Sequence, residues 1–167
     1  MSRSVDFSVE CSISVEQIRA ALCEEDYWLA RLAAYGGIGK LDSFAVAPDG
    51  SARVVVIHDV RNSLLPKPFA KLYPGDLEVV QRETWSLVHG PGVRGQAHIE
   101  ARGAPGSGRS TVVMAPAPNG SHLLCHGIVD FKVPLVGGTI EGYFRRQMID
   151  ETPEMLRFTT KWVEEHP

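Results

Sequence analysis

The chain has 167 residues and a mass of 18.3 kDa, a length at which one domain buries roughly two thirds of its unfolded surface. With 44% hydrophobic and 22% charged residues, its composition excludes a disordered chain. A net charge of −3 leaves no basic footprint for a run of phosphates and excludes a nucleic-acid partner.

From Arg3 to Cys11 apolar and polar residues alternate, Val5, Phe7, Val9 and Cys11 on one side, which is the period of a half-buried strand. Ser14 followed by Gln17 has capping-box spacing, and Ile18, Ala21 and Leu22 supply a helical apolar face that ends near Cys23. A second helix is predicted from Glu24 or Glu25 through Trp28, Leu29, Leu32 and Ala33, stopped by Gly36-Gly37. From Lys40 to Val133 strands alternate with turns at Pro48-Asp49-Gly50, Gly90-Pro91-Gly92, Gly103 to Gly108 and Pro118-Asn119-Gly120. Asn119-Gly120 is the strongest of these, because both residues tolerate the positive φ of a tight hairpin. One connection differs: Asn62 to Gly75 carries three prolines together with Leu64, Leu65, Phe69, Leu72 and Tyr73, and apolar residues in such a loop cover something. After Gly137-Gly138, the residues Ile140, Phe144, Met148, Glu151, Met155, Phe158 and Trp162 recur at helical steps along a long last helix. Pro153 removes a backbone donor and is expected to kink that helix or divide it.

Strand, two short helices, about six strands and one long helix make an α+β arrangement. Packing the helix across a concave antiparallel sheet buries both apolar faces. Three stretches carry a resemblance: Glu25-Asp26-Tyr27-Trp28, Pro68-Phe69 to Glu83-Thr84-Trp85, and Val133-Pro134-Leu135-Val136-Gly137-Gly138. Over essentially its whole length the chain resembles the START-like, or helix-grip, superfamily, which includes polyketide cyclases and birch-pollen-allergen-like proteins. Within that superfamily it is similar to a bacterial branch catalogued as a domain of unknown function. The resemblance implies a curved antiparallel sheet of about seven strands wrapped around the C-terminal helix, one ligand-binding domain over residues 1–167, and a hydrophobic cavity for lipids, sterols, polyketides or other ring compounds. Members of the superfamily divide into enzymes, carriers and sensors, so the fold alone does not select among them.

Side chains sharing a face with the strand apolars are expected to line such a cavity. In the third strand these are Val54, Val56, His58 and Val60; in the fourth, Val79, Gln81, Glu83, Trp85 and Leu87; in the fifth, Ala97, Ile99 and Ala101. The last strand presents Leu123, Cys125, Gly127, Val129, Phe131 and Val133 as an unbroken apolar wall. Small residues at Gly95, Ala97, Cys125 and Gly127 leave space or accommodate the crossing helix. The candidate ligand contacts are Val56, His58, Phe69, Gln81, Glu83, Trp85, Ala97, Ile99, Cys125, Val129, Phe131, Phe144, Met148 and Met155. His58, Gln81 and Glu83 form either a polar cluster that orients a ligand, with Glu83 available for proton transfer, or a set of structurally satisfied groups. No residue is assigned a catalytic role, and no cofactor is expected.

Several motifs dissolve in context. His122 and His126 have the spacing of a helical metal pair but sit on a strand, which separates them by about 13 Å. Gly90 to Gly95 matches a dinucleotide-binding pattern yet leads into an alternating strand, and Gly36 to Lys40 lacks the spacing of a phosphate loop. Arg145-Arg146 on the last helix either meets an anionic head group or is solvated. Acidic residues fall within the first ten positions, where a signal peptide would be apolar, and no apolar run approaches the roughly 18 residues of a membrane span. Three widely spaced cysteines without a Cys-x-x-Cys pair fit reduced thiols, and the expected location is the cytoplasm. The expected partner is an apolar small molecule, with the Asn62–Gly75 loop helping to close over it; the oligomeric state stays open. Two alternatives remain: a cyclase- or hydrolase-like enzyme using Glu83 or His58 as general acid or base, and a module that contacts a membrane or another chain through residues 62–75, where Lys67 and Lys71 would suit an anionic surface.

Overall fold

Alternation at the N-terminus produces strand β1 (Arg3–Cys11). The computed structural model describes residues 3–34, 38–72, 75–87 and 90–167. It continues with helices α1 (Val15–Leu22) and α2 (Glu25–Ala34), strands β2 (Gly39–Val46) and β3 (Ala52–Asp59), and one-turn helices α3 (Val60–Ser63) and α4 (Lys67–Ala70). Strands β4 (Glu78–Leu87), β5 (Val93–Arg102), β6 (Gly106–Ala117) and β7 (Gly120–Phe131) follow, then helices α5 (Gly137–Ile149) and α6 (Thr152–Glu165). The expected capping box closes the start of α1: Gln17 N donates to Ser14 Oγ at 3.2 Å and Ser14 N donates to Gln17 Oε1 at 2.9 Å.

All seven strands form one antiparallel sheet in the order β1-β7-β6-β5-β4-β3-β2. Strands β1 and β2 are consecutive along the chain but lie at opposite edges, so α1 and α2 carry the chain from one edge to the other. The sheet curves around α5 and α6, and an irregularity between Leu41 and Ser43 interrupts the β2 register, a feature that bends an edge strand. Register sets the inner face. One row across the sheet reads Val54, Glu83, Ala97, Ser110, Gly127 and Val5; its neighbour reads Ala52, Trp85, Gly95, Val112, Cys125 and Phe7. The middle of the first row is built from small residues.

Two elements differ from the sequence expectation, and a third settles an alternative it left open. Of the kink or division expected at Pro153, the last helix shows division: α5 ends at Ile149, and α6 starts at Thr152 with Pro153 in its first turn. A proline is tolerated there because the first-turn N–H groups have no partner within the helix. The Asn62–Gly75 connection, read as a loop, contains part of α3 and all of α4, and the Asp59 carboxylate accepts from Asn62 N at 3.0 Å to start the first of them. The last hairpin turns on Pro118-Asn119, one residue earlier than expected, with Ala117 paired to Gly120. Only Gly120 has positive φ there, at 146°, because Pro118 presets the negative φ of the first turn position. Gly36-Gly37, expected to stop α2, and Tyr73 and Pro74 of the connection lie outside the described residues.

Two buried clusters hold the layers together. The first joins α1, α2 and the inner face of the sheet through Ile18, Leu22, Tyr27, Trp28, Val54 and Leu123, with Phe158 and Trp162 of α6 packed against it. Tyr27 and Thr159 share a buried hydroxyl hydrogen bond of 2.8 Å that ties α2 to α6. The second gathers Val79, Ile99, Phe131, Val136, Ile140 and Phe144 under α5, and Leu65 of the connection is buried in it. A gap between these clusters lies over the small residues of the sheet.

Candidate functional site: an apolar cavity with a polar wall

That gap is a cavity of about 200 Å³ bounded by β1, α1, α2, β4 to β7, α5 and α6. Register explains why it exists. Glu83, Ala97, Ser110 and Gly127 lie side by side on four neighbouring strands, so no large apolar side chain rises from the centre of the floor. Two of the small residues are seats rather than openings. A side chain at Gly95 would collide with the Trp85 ring, and one at Gly127 with the Met148 thioether. Both alternatives raised for small residues therefore apply: Gly127 accommodates the crossing helix, whereas Ala97 borders open space.

A second cavity of about 80 Å³ adjoins the first near β2 and β3, lined by Val56, His58 and Gly39. Arg31, Gln81, Glu83, Gln147 and Met155 line both. Along this shared wall runs a chain of hydrogen bonds. Trp85 Nε1 donates to Glu83 Oε2 at 2.9 Å, Gln81 Nε2 donates to Glu83 Oε1, and His58 Nε2 meets Gln81 Oε1 at 3.0 Å. Glu83 accepts from the Gln81 amide nitrogen, so the amide oxygen faces His58, and Nε2 of the imidazole is the donor. The other ring nitrogen, Nδ1, is left buried with no hydrogen-bond partner among the described residues. His58 is only 4% exposed, and burial lowers its pKa, opposed by Gln81 and the Glu83 charge. Its ring stands edge-on to Tyr143 and Phe144. Cys125, on the floor, is a free thiol that burial pushes up to about 11.

The sequence-derived candidates fall into three groups. Gln81, Glu83, Trp85, Ala97, Ile99, Cys125, Val129, Phe144, Met148 and Met155 line the larger cavity. Val56 and His58 line the smaller one. Phe131 and Phe69 line neither: Phe131 stacks on Phe144 inside the second buried cluster, and Phe69 is half-exposed on α4. None of the described residues of the Asn62–Gly75 connection borders the larger cavity; the connection covers the α5 end of the core.

Arg31, Tyr27, Ser110, Gln147 and Thr159 also line the larger cavity and are not among the ligand contacts expected from the sequence. For Arg31 a signal was present: it stands three and four residues after Trp28 and Tyr27, hence on the buried face of α2. Ser110 became visible only through the pairing of β5 with β6. His122 and His126 sit on the outer side of β7, beside Glu10 and Asp6 of β1.

A curved antiparallel sheet gripping a C-terminal helical segment, with an apolar cavity between them, is the helix-grip fold seen in START-like proteins. The chain belongs to the DUF2505 family, described as a protein of unknown function, whose model matches residues 6–163. An uncharacterized protein of Mycobacterium tuberculosis is 34% identical over 174 residues, which cover 98% of each chain. Human STARD10 superposes with a TM-score of 0.61 at 12% identity, over 98% of this chain and 66% of its own. StfQ, a di-domain ARO/CYC protein of the steffimycin biosynthetic pathway, superposes with 0.56 at 14% identity, over 98% of this chain and 52% of its own. At these identities the structural likenesses show the fold.

Proposed function

We propose that the protein binds a small apolar molecule in the cavity between the sheet and α5–α6, the whole chain serving as one ligand-binding domain. The cavity itself is the observation that carries this: about 200 Å³ of space lies above a floor of small residues, between two otherwise well-packed clusters. Burial of apolar ligand surface drives association, and the Gln81–Glu83–Trp85 wall orients the bound molecule. Size narrows the lipid-, polyketide- or sterol-like range. A cavity of about 150 Å³ holds benzene, so this one takes a fused ring pair or a chain of about eight carbons. A sterol requires α5 and α6 to move apart, and the break at Asp150–Glu151 is the natural hinge. Ten of the proposed contacts line the larger cavity, from Gln81 to Met155, and Val56 and His58 extend the site into the smaller one.

Screening the purified protein against naphthalene, 2-naphthylmethanol, octanol and larger ring compounds by thermal shift and native mass spectrometry tests this. Stabilisation with a one-to-one bound species is the expected result; no bound species and no shift across the panel refutes it. Two observations favour other readings. Glu83 is buried and faces the cavity, which supports proton transfer in a cyclase- or hydrolase-like reaction on a polyketide-like substrate, tested by loss of turnover in Glu83→Gln. Phe69 and Leu72 are exposed beside Lys67 and Lys71, which supports contact with an anionic membrane or another chain, tested by vesicle co-sedimentation. Three free thiols support a reducing, cytoplasmic setting, and no helix of the described residues is long and apolar enough to cross a membrane.

A further inference from the structure

We infer that the molecule taken into this cavity is an apolar acid, its carboxylate gripped by Arg31 at the junction of the two cavities and its apolar body lying over Ala97 and Ser110. The inference deepens the ligand-binding proposal and rests on it.

Arg31 projects from α2 into the wall shared by the larger and smaller cavities. One face of its guanidinium lies over the Trp28 ring, 4.9 Å from the centroid, and Trp28 is almost fully buried and anchored by its indole N–H on Leu22 O at 2.9 Å. The cation is thereby held in place by a cation–π contact with a rigid ring. Its hydrogen-bonding edge is poorly matched. Nε and Nη2 both converge on the Met155 sulfur, at 3.1 and 2.8 Å. These two parallel donors form the fork that fits the two oxygens of a carboxylate side-on, whereas a thioether is a single weak acceptor. Among the described residues no carboxylate lies within 4.0 Å of Arg31. Two acids share its surroundings: Glu83 lines both cavities and Glu151 the smaller one. Glu83 already accepts from the Gln81 amide and the Trp85 indole, leaving the Arg31 fork to a ligand.

Met155 is the side chain suited to yield that place. It is unbranched, with rotatable bonds that let it swing aside, and it lies at the same junction. An entering carboxylate replaces one weak acceptor by two charged ones at a half-buried cation, and charge-assisted hydrogen bonds are roughly twice as strong as neutral ones. The carboxyl carbon then points the rest of the ligand into the larger cavity, whose size sets the body at about ten non-hydrogen atoms. A neutral molecule of the same shape fits the cavity but leaves the fork on the thioether.

The test compares 2-naphthoate with 2-naphthylmethanol, and octanoate with octanol, by calorimetric titration of the full chain at pH 7. Each acid is expected to bind about tenfold more tightly than its alcohol, the worth of one charge-assisted pair. Arg31→Gln removes that preference, bringing each acid down to the affinity of its alcohol, and its circular dichroism spectrum and Tm show that the variant is folded. Arg31→Lys restores part of the preference, and Met155→Leu leaves the acid bound at least as tightly as in the parent. Equal affinities for acid and alcohol in the parent protein overturn the acid assignment and leave the cavity proposal standing. Equal loss of both probes in Arg31→Gln and Arg31→Lys assigns the residue to packing and overturns it too. If neither probe binds the parent, both proposals fall.

Discussion

Filling the floor of the cavity tests the space directly, and Ala97→Leu is the substitution to make. Ala97 stands between Glu83 and Ser110 in the cross-strand row and borders the larger cavity. Leucine adds three carbons, whose burial contributes at most about 2.4 kcal/mol at ~0.8 kcal/mol per methylene. Ordering the longer side chain takes back about 0.5–1 kcal/mol. The expected gain is therefore about 1.5 kcal/mol, a rise in Tm of roughly 3–6 °C for a chain of this size. The added side chain occupies about 80 Å³ of the void, so affinity for 2-naphthylmethanol is expected to fall by at least about tenfold. Differential scanning calorimetry reads the first effect and titration calorimetry the second. His98→Leu, on the exposed side of the same strand, serves as the control and shifts stability by no more than about 0.5 kcal/mol. A fall in Tm for Ala97→Leu, the signature of overpacking, would show that the floor is already filled and would refute the cavity.

Other consequences follow from the same geometry. Cys125 is held as a thiol up to about 11, so at pH 8 it reacts slowly with iodoacetamide and more slowly still with a probe bound. The unfolded thiol ionises near 9.0, so its linkage destabilises the fold as pH rises from 9 towards 11; Cys125→Ala flattens that part of the stability profile in denaturant titrations. His58 acts on the opposite limb. Its folded pKa lies below the 6.5 of the unfolded side chain, so the unfolded chain takes up protons first and stability falls as pH drops below 6.5. His58→Asn removes that contribution, measured as a shallower acid limb in Tm against pH. Leu135, 76% exposed, has a left-handed φ of 68° between β7 and α5. Replacing it by glycine relieves roughly 1 kcal/mol of backbone strain with little loss of burial, expected to raise Tm by about 2–4 °C.

Much of the inner face could be read along the chain because strand faces are a local property. Gln81, Glu83 and Trp85 alternate with Arg82, Thr84 and Ser86, which are exposed or half-exposed, and the period of two places all three on the helix side whatever pairs with β4. The same holds for Leu123, Cys125 and Gly127 on β7, and helical period placed Phe144, Met148 and Met155 toward the sheet. His58 was selected on the same ground.

What lies next to what is not local. The row Glu83–Ala97–Ser110–Gly127 exists only because four strands pair in one register, and that row makes a floor into a cavity. Gly95 and Gly127 read identically in the sequence as small residues on an apolar face, yet each is covered by a particular side chain, Trp85 or Met148. Phe69 looks like a lid residue by composition, but α4 sits against the α5 end of the core, away from the void. Pro153 could kink or divide the last helix, and packing of Phe158 and Trp162 against the first cluster, together with Phe144 in the second, favours division. By itself the sequence determined the strands, their faces, the broad fold and the polar trio on β3 and β4, because each depends on the spacing of near neighbours along the chain. Tertiary structure alone decided where the packing leaves a gap and which cation, Arg31, stands at its junction, because both depend on contacts between elements far apart in the chain.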